Sequence, residues 1–537
     1  MAEHGTFGIS VHPVAETEHT IARSPTGVTA FAGRALKGPL NRPVRIASFA
    51  EFRQTFGGLW QPSTLSYAIE QYFDNGGRQA VVVRIANGAR PPTLALPAGR
   101  GELSLAGVNP GSREYLRAAV DYDGIADSEP DRFNLVLQRL RMPGTEQIED
   151  QEIFRRASIE PGSPRFVGDL LLESRIMRVH GSLPLVRPHP TPAGPGVHAM
   201  HYVASAPDGD DGAPLSNYDV IGSAASGTGL WALQEERFDL LCIPPLGRGQ
   251  DVGLATLLVA ARFCREHRAM LVVDPPAEWT SAQGALDAIR AWPFRSENAV
   301  MFYPRVLAFD RLRNRIEEFG SAAAAAGMLA REDETLPVWA PTQGAEPILR
   351  PGLKLAVTVE DPERTRLAQA GINTLQSVRA SVRPRPIPCT LAGGGGGASP
   401  DWRYLTARRL ALFVLSSIEH GARWLLTAPN KPHVWAQAQG EVERFLEELG
   451  RDGAFAGSRP EDSSFVICDE RVNRRETVAE GKIHLLFGIA TSRPAEFHAW
   501  LITYHGGSSR SRPVAVNRLA TSQQRVEWEI ETSILRS

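Results

Sequence analysis

The sequence is short of cysteine, short of net charge and without any long apolar run. Four cysteines, Cys242, Cys264, Cys389 and Cys468, are spread over 537 residues. None forms a C-x-x-C pair, so neither a zinc site nor a redox dithiol is offered. Single cysteines among apolar neighbours read instead as small buried hydrophobes of a reducing compartment. Lys and Arg number 58 against 60 Asp and Glu, for a net charge of -2. That balance excludes a strongly basic nucleic-acid binder and leaves only local basic patches. No stretch reaches 18 apolar residues, so neither a transmembrane helix nor direct membrane insertion is expected. Met1 to Ser10 lacks the charged-then-apolar layout of a signal peptide.

Catalytic signatures are equally scarce. There is no G-x-x-x-x-G-K-[ST] phosphate loop, no G-x-G-x-x-G opening a helix after a strand, no H-E-x-x-H and no G-x-S-x-G. The run Gly393 to Gly397 precedes a helix pattern but has no Lys at the offset a phosphate loop needs. It reads as a flexible connector or a loop requiring positive φ. His484 and His498 lie on strand patterns and could meet across a sheet, although a satisfied or exposed histidine is the commoner outcome. Asp274-Pro275-Pro276 ends a strand, where α/β enzymes often place an acid. No nucleophile or base accompanies it, so a capping or turn role is the better reading. No catalytic residue, metal ligand or cofactor is therefore assigned, and an α/β enzyme acting at Asp274 is kept only as a rival.

What is present is a globular composition, 42% hydrophobic and 22% charged, punctuated by 49 Gly and 40 Pro. At roughly 150 residues per domain the length implies three to four domains. Residues 1–25 read as an arm, in which Phe7, Ile9 and Val11 alternate with Gly8, Ser10 and His12. Residues 26–90 read strand–helix–helix–strand. Val28 to Gly33 and Ala80 to Ile85 are the strands, and Ser48 with Glu51 suits a capping box before Phe49, Phe52 and Phe56. The order is that of a parallel crossover.

Residues 91–225 are loop-rich and β-like, with an irregular Pro-rich stretch from Pro184 to Pro195. Residues 226–390 return to α/β character. Residues 391–505 carry helices over Asp401 to Gly421 and His433 to Leu449, a strand at Arg423 to Thr427, and strands at Ser464 to Cys468, Lys482 to Ala490 and Glu496 to Tyr504. Residues 506–524 read as a polar linker. The chain then shows Val526, Trp528, Ile530 and Thr532 alternating with Glu527, Glu529 and Glu531. Such a strand beyond a linker needs a sheet edge, supplied by a neighbouring copy or by its own domain; the pattern leaves both open. Local basic clusters at Arg383 and Arg385, and at Arg471, Arg474 and Arg475, read as solvated surface or as contacts for an acidic protein partner.

A family pattern runs through these segments. Val28 to Gly33, Gly38-Pro-Leu-Asn-Arg-Pro-Val44, Ser48-Phe-Ala-Glu-Phe52, Phe56-Gly-Gly-Leu-Trp60, Ser63-Thr-Leu-Ser-Tyr-Ala68 and Phe73-Asp-Asn-Gly-Gly77 occur in that order. Together they resemble the N-terminal region of contractile tail sheath proteins of phages, R-type tailocins and extracellular contractile injection systems. Further on, Ala370-Gly-Ile-Asn373, Asp401-Trp-Arg-Tyr404, Arg408-Arg409, Ser417-Ile-Glu419, Arg423-Trp424, Ala428-Pro-Asn430, Leu446 to Gly453 and Arg493-Pro-Ala-Glu-Phe497 look like the sheath C-terminal domain. Asp274-Pro-Pro276, Ser296-Glu-Asn-Ala299 and Tyr303-Pro304 match in between. Pro388-Cys-Thr-Leu-Ala392 replaces a Trp-Gly-Ala-Arg-Thr run often found in the family.

The resemblance implies a multidomain α/β (α+β) structural protein without enzymatic activity. An inner domain would be built from both chain ends (26–90 with 391–505), with an inserted outer domain (91–225) and an α/β middle domain (226–390). Terminal strand arms (1–25 and 506–537) would join sheets of neighbouring subunits through Phe7, Ile9, Val11, Val526, Trp528, Ile530 and Thr532. Its partners would be further copies of itself in hexameric rings and a helical tube, an inner tube protein, and baseplate and terminator or cap proteins. Assembly would occur in the cytoplasm, within a phage tail or tail-like particle that can be released. Glu441, Arg444, Glu448, Arg451, Arg474 and Arg475 are the candidate inner-tube contacts. A sheath-like cap or baseplate-proximal paralogue is the alternative.

Overall fold

The computed structural model describes residues 20–192, 201–340, 349–350, 352–378, 381–384, 388–392 and 400–514. The chain divides into two compact units, one of residues 26–337 and 341–405, the other of residues 1–25, 338–340 and 406–537.

The first unit begins with β1 (Val28–Gly33), buried at every residue, and β2 (Pro43–Ile46). Helices α1 (Phe49–Phe56) and α2 (Thr64–Asp74) then lead into β3 (Gln79–Arg84). Ser48 caps α1 by accepting from the Glu51 N–H, while the Glu51 carboxylate reaches back to the Ala47 N–H. Gly57, at φ 92°, closes the helix as its sequence foretells.

The inserted β-rich part follows: β4 (Thr93–Ala98), β5 (Gly101–Gly107), β6 (Tyr115–Asp121), β7 (Arg132–Leu140), β8 (Ile148–Ser158), α3 (Val167–Leu172), β9 (Met177–Val179) and β10 (Val203–Ala204). Its strands form two antiparallel sheets, β4-β5-β9 and β10-β6-β7-β8. They share a core that includes Leu96, Leu103, Leu105, Phe133 and Leu135.

The chain then returns to α/β alternation with α4 (Asn217–Ile221), β11 (Leu240–Cys242), α5 (Leu254–His267), β12 (Met270–Val273), α6 (Ala282–Ala291) and β13 (Ala299–Tyr303). A small sheet of β14 (Val306–Asp310), β15 (Arg315–Phe319) and β16 (Lys354–Leu355) surrounds α7 (Ala322–Glu332) in sequence. Helix α8 (Asp361–Gln369) precedes β17 (Asn373–Val378) and β18 (Ser381–Pro384).

One eight-stranded sheet organises this unit, in the order β18-β17-β13-β12-β11-β1-β3-β2. It is parallel from β17 to β3, and antiparallel pairs close both edges. Ala30, Ala32, Val81, Val83, Leu241, Leu271 and Met301 share a core with Leu257, Phe263, Leu286 and Ile289 of α5 and α6. The opposite face carries Phe31, whose ring meets Tyr72 of α2 edge-on at 5.3 Å.

This sheet corrects the expected pairing of residues 26–90 with residues 391–505. Thr29, Ala30 and Phe31 of β1 lie beside Leu240, Leu241 and Cys242 of β11, so 26–90 supplies one end of the sheet, β1-β3-β2, next to the strands of residues 240–384. A strand buried on both faces announces its type in the sequence but not its neighbour.

In the second unit, α9 (Leu405–Gly421) and α10 (Pro432–Arg451) flank a 3-10 turn at Arg423–Leu426. That turn replaces the strand expected at Arg423 to Thr427, because so short an apolar run carries no period. Strand β19 (Ser464–Ile467) follows the short helix α11 (Pro460–Ser463). Helix α12 (Arg475–Ala479) leads to β20 (Ile483–Ala490), β21 (Phe497–His505) and β22 (Ser508–Val514), which complete an antiparallel sheet in the order β19-β20-β21-β22.

Strand β22 also departs from expectation. It occupies the start of the segment read as a linker, and it pairs with β21 from His505↔Ser508 to Ala499↔Val514. Gly506 and Gly507, both at positive φ, make the two-residue turn.

Candidate assembly surfaces

The second unit fastens the chain just after its N-terminal segment. Ile21 is buried and approaches Gly421 of α9 so closely that a Cβ there would lie 2.9 Å from it. The Ser24 N–H donates to Ser417 Oγ at 2.9 Å, and Arg23 pairs with Glu448 at 2.6 Å and with Asp452. Residues 20–25 are thus tied to α9 and α10. The arm residues Phe7, Ile9 and Val11, and likewise Val526, Trp528, Ile530 and Thr532, lie outside the described residues.

The candidate inner-tube residues fall into different environments. Glu441 is buried and accepts from Trp424 Nε1 at 3.1 Å and Gln437 Nε2 at 3.0 Å. It therefore serves the interior of its own unit and is corrected as a surface contact; it sits one position before Val442 on the inward stripe with Trp435, Ala438 and Phe445. Glu448 is engaged by Arg23. Arg444 and Arg451 are exposed on α10, while Arg474 and the exposed Arg475 belong to the start of α12. Arg471 is held by Asp469 at 2.7 Å.

The two edges of the β19–β22 sheet are not equivalent. Beyond β19, the Cys468 N–H donates to Gln439 Oε1 of α10 at 3.0 Å, so that edge is covered. Among the described residues no strand pairs with the outer edge of β22, which carries Arg510 and Arg512 between serines. The two histidines do not meet. His484 stands opposite Thr503, with Nδ1 2.9 Å from its hydroxyl, and His498 stands opposite Ile489. Burial, with help from Lys482 and Arg512, pushes His484 down to about 4, so it is neutral near pH 7.

In the first unit, Asp274 occupies the end of β12 as the strand-end reading anticipates, and it acts as a cap. Its Oδ1 accepts from the Ala322 N–H at 2.7 Å, supplying the first turn of α7 with the acceptor that Ser321 does not give. Beside it, Arg248 pairs with Asp310 at 2.6 Å, Tyr67 donates to Asp310 at 3.1 Å, and Arg305 bridges Asp251 at 3.2 Å and Glu318 at 2.9 Å. The cavity lined by Tyr67, Arg248, Asp274, Arg305 and Glu318 holds about 30 Å³, room for about one water.

Burial raises the Asp274 carboxyl from 3.8 to about 6, against the Ala322 N–H and Arg305, which lower it. A carboxyl raised on folding adds stability while protonated, below about pH 4, and that contribution is lost as pH rises through about 6. The shift corresponds to about 3 kcal/mol. In urea unfolding followed from acid to neutral pH, the wild type should lose about that much stability relative to Asp274→Asn. Parallel profiles for the two proteins would reject the assignment.

A groove that sequence reasoning missed lies between α1 and the β7–β8 turn. It has a volume of about 1160 Å³, and Arg53, Arg113 and Arg141 line it with Met142 and Ile148. These positions are distant in sequence and meet only through the packing of the inserted domain on α1, so no spacing betrays them. All four cysteines are buried.

No family model and no curated protein matches the sequence. Solved structures do. The sheath tail protein of Listeria innocua aligns over 94% of this chain and 97% of its own at a TM-score of 0.58 and 12% identity. The sheath of the extracellular contractile injection system PVC, in the contracted state, aligns over 93% and 97% at 0.53 and 16%. The helical sheath of the anti-feeding prophage, also contracted, aligns over 92% and 98% at 0.53 and 17%. The chain has the contractile sheath fold. The likeness extends over both units, so the sheath fold here includes the inserted β part as well as the α/β sheet and the C-terminal unit.

Proposed function

We propose that this protein is a structural subunit of a contractile sheath. Its copies would stack as hexameric rings into a helical tube around an inner tube, and contraction would drive that tube through a target envelope. The observation that carries the reading is the near-complete mutual coverage with sheath subunits of contractile injection systems. The physical reading agrees. Strand-like segments at both ends, Phe7 to Val11 and Val526 to Thr532, suit head-to-tail association that leaves an open helical array. The outer edge of β22, with which no strand pairs among the described residues, is one acceptor such a segment could use. The mechanical energy would reside in two alternative packings of the array. Baseplate and terminator proteins would bound the tube, and no enzymatic step is required.

The test is assembly. Purified chain should form tubes or rings visible by electron microscopy. Deleting residues 1–12, or residues 526–532, should leave a folded monomer by circular dichroism with at least about tenfold less polymer, since each deletion removes a row of intersubunit hydrogen bonds. A full-length chain that stays monomeric at high concentration would end the proposal. A second reading is a baseplate-proximal, sheath-like ring protein. It is favoured by the alignment with the baseplate structure of the anti-feeding prophage, at a TM-score of 0.51 over 92% of this chain. Single rings without tubes would select it.

A further inference from the structure

We infer that the inserted β parts of successive copies join head to tail: the acidic β6–β7 loop of one copy, tipped by Asp123 and Asp127, docks in the arginine groove of the next. The inference rests on the self-association proposed above and adds a side-chain contact to it.

The groove is left with unbalanced charge. Arg53 of α1, Arg113 before β6 and Arg141 after β7 are exposed and line it, and none has a side-chain hydrogen bond or ion pair among the described residues. The acids around it are already engaged. Glu149 binds Lys37 with both oxygens at 2.8 Å, Glu51 accepts from the Ala47 N–H, and Glu146 on the same turn is taken by Arg117 at 2.7 Å. Met142 and Ile148 add apolar exposure, at 56% and 47%. At about 1160 Å³ the groove is larger than the ~300–1,000 Å³ typical of small-molecule sites and suits a protein loop.

The complement stands at the other end of the same strands. The register places Tyr115, Leu140 and Ile148 together at the groove, and Asp121 and Asn134 together at the far end. Strand β6 separates the two ends by about 20 Å. The loop from Tyr122 to Asp131 carries Asp123, Asp127, Glu129 and Asp131. Glu129 pairs with Arg132 at 3.1 Å and with Arg156, and Asp131 accepts from Ser158 Oγ at 2.7 Å. Asp123 and Asp127 are exposed and have no side-chain partner among the described residues. Two turns hold the loop in shape, with the Ile125 N–H donating to Tyr122 O at 3.1 Å and the Glu129 N–H to Ala126 O at 2.9 Å.

Spare positive charge at one end of a sheet and spare negative charge at the other make two surfaces that fit each other and not themselves. Contact between them is heterologous, and repetition gives a ring or an open array. Like ends repel, which orients each incoming copy. The carboxylates of Asp123 and Asp127 would face the three arginines, and the exposed Ala126 and Pro130 of the loop would cover Met142 and Ile148.

The experiment uses full-length chains with one new cysteine each, Asp127→Cys in one and Arg141→Cys in the other, mixed under mild oxidation. The four native thiols are buried. A disulfide needs Cα atoms within about 7 Å, so it reports the loop of one chain lying in the groove of another. The mixture should yield at least about tenfold more disulfide-linked dimer on a non-reducing gel than either chain alone. Added salt should lower the yield. Arg53→Glu with Arg113→Glu in the groove chain should cut it at least about fivefold, and Asp123→Lys in the loop chain should restore it. Should the double variant misfold by circular dichroism, Arg113→Glu alone should cut the yield about twofold.

Equal yields from the mixture and the single chains, or a yield indifferent to charge reversal, would overturn the contact. Tubes that show no cross-link between positions 127 and 141 would reject it and leave the sheath reading intact. Cross-linking between chains that never form tubes or rings would uphold the contact and end the sheath reading.

Discussion

Replacing Arg84 with Met should cost about 3–5 kcal/mol of stability, read from the urea midpoint. Arg84 ends β3 and is 1% exposed. Its Nε donates to Ala35 O at 3.0 Å, and one terminal nitrogen donates to Gly38 O at 2.7 Å and Pro110 O at 2.8 Å. The other terminal nitrogen has no hydrogen-bond partner, and the charge is supported at longer range by Glu114 and Asp211. Burial lowers the guanidinium to about 10, so it stays charged at neutral pH at some cost. The decisive quantity is what remains when it is removed. Methionine fills much of the volume but strands three carbonyls away from water, each worth roughly 1–3 kcal/mol. Lysine should not rescue, because a single ammonium cannot reproduce the planar fork.

The same residue shows why the effect should spread. Ala35 and Gly38 follow β1 in the parallel sheet, whereas Pro110 belongs to the inserted β part. Arg84 therefore pins the inserted part to the strand ends it leaves. In Arg84→Met, amide hydrogen exchange should accelerate first in residues 86–113, with the central strands following only near global unfolding. A loss under about 1 kcal/mol would mean that desolvating the guanidinium consumes what its bonds return.

How much of this was legible in the sequence depends on the length scale of each signal. Caps and turns are local, and Ser48, Glu51 and Gly57 act at α1 as the spacing dictates. Asp274 fulfils the capping role that the absence of a catalytic partner favours. The strand β22 was hidden because Arg510 and Arg512 give it no apolar alternation, yet Gly506-Gly507 between two extended segments was a usable hairpin signal. The neighbour of β1 was not legible at all, since Leu240 to Cys242 is one of several short buried runs that would pack equally well there. Glu441 was misread for a related reason. A carboxylate on a polar-looking helix is assumed to face water, and only the tertiary structure brings Trp424 Nε1 to meet it. The arginine groove depends on three distant positions and became visible only when the inserted domain was placed.

Gly327 in α7 should resist replacement more strongly than any helix scale allows. It follows five buried alanines, Ala322 to Ala326, and the helix lies against α2. A Cβ at Gly327 would stand 2.2 Å from the carbonyl oxygen of Tyr72 and 3.1 Å from the Cβ of Asn75. Two effects oppose each other. Ala in place of Gly within a helix gains about 1 kcal/mol. Against that, the atom in the way is backbone, which cannot rotate aside, and forcing two packed helices apart costs about 1–3 kcal/mol or more. Tyr72 cannot yield cheaply, because its hydroxyl donates to Gln79 O at 2.7 Å and its ring packs on Phe31 of β1. The clash should win. Gly327→Ala is expected to lose about 1–2 kcal/mol and Gly327→Val about 3 kcal/mol or more, measured by thermal and urea unfolding. A Gly327→Ala protein that gains stability would show that α7 can lift from α2 at little cost.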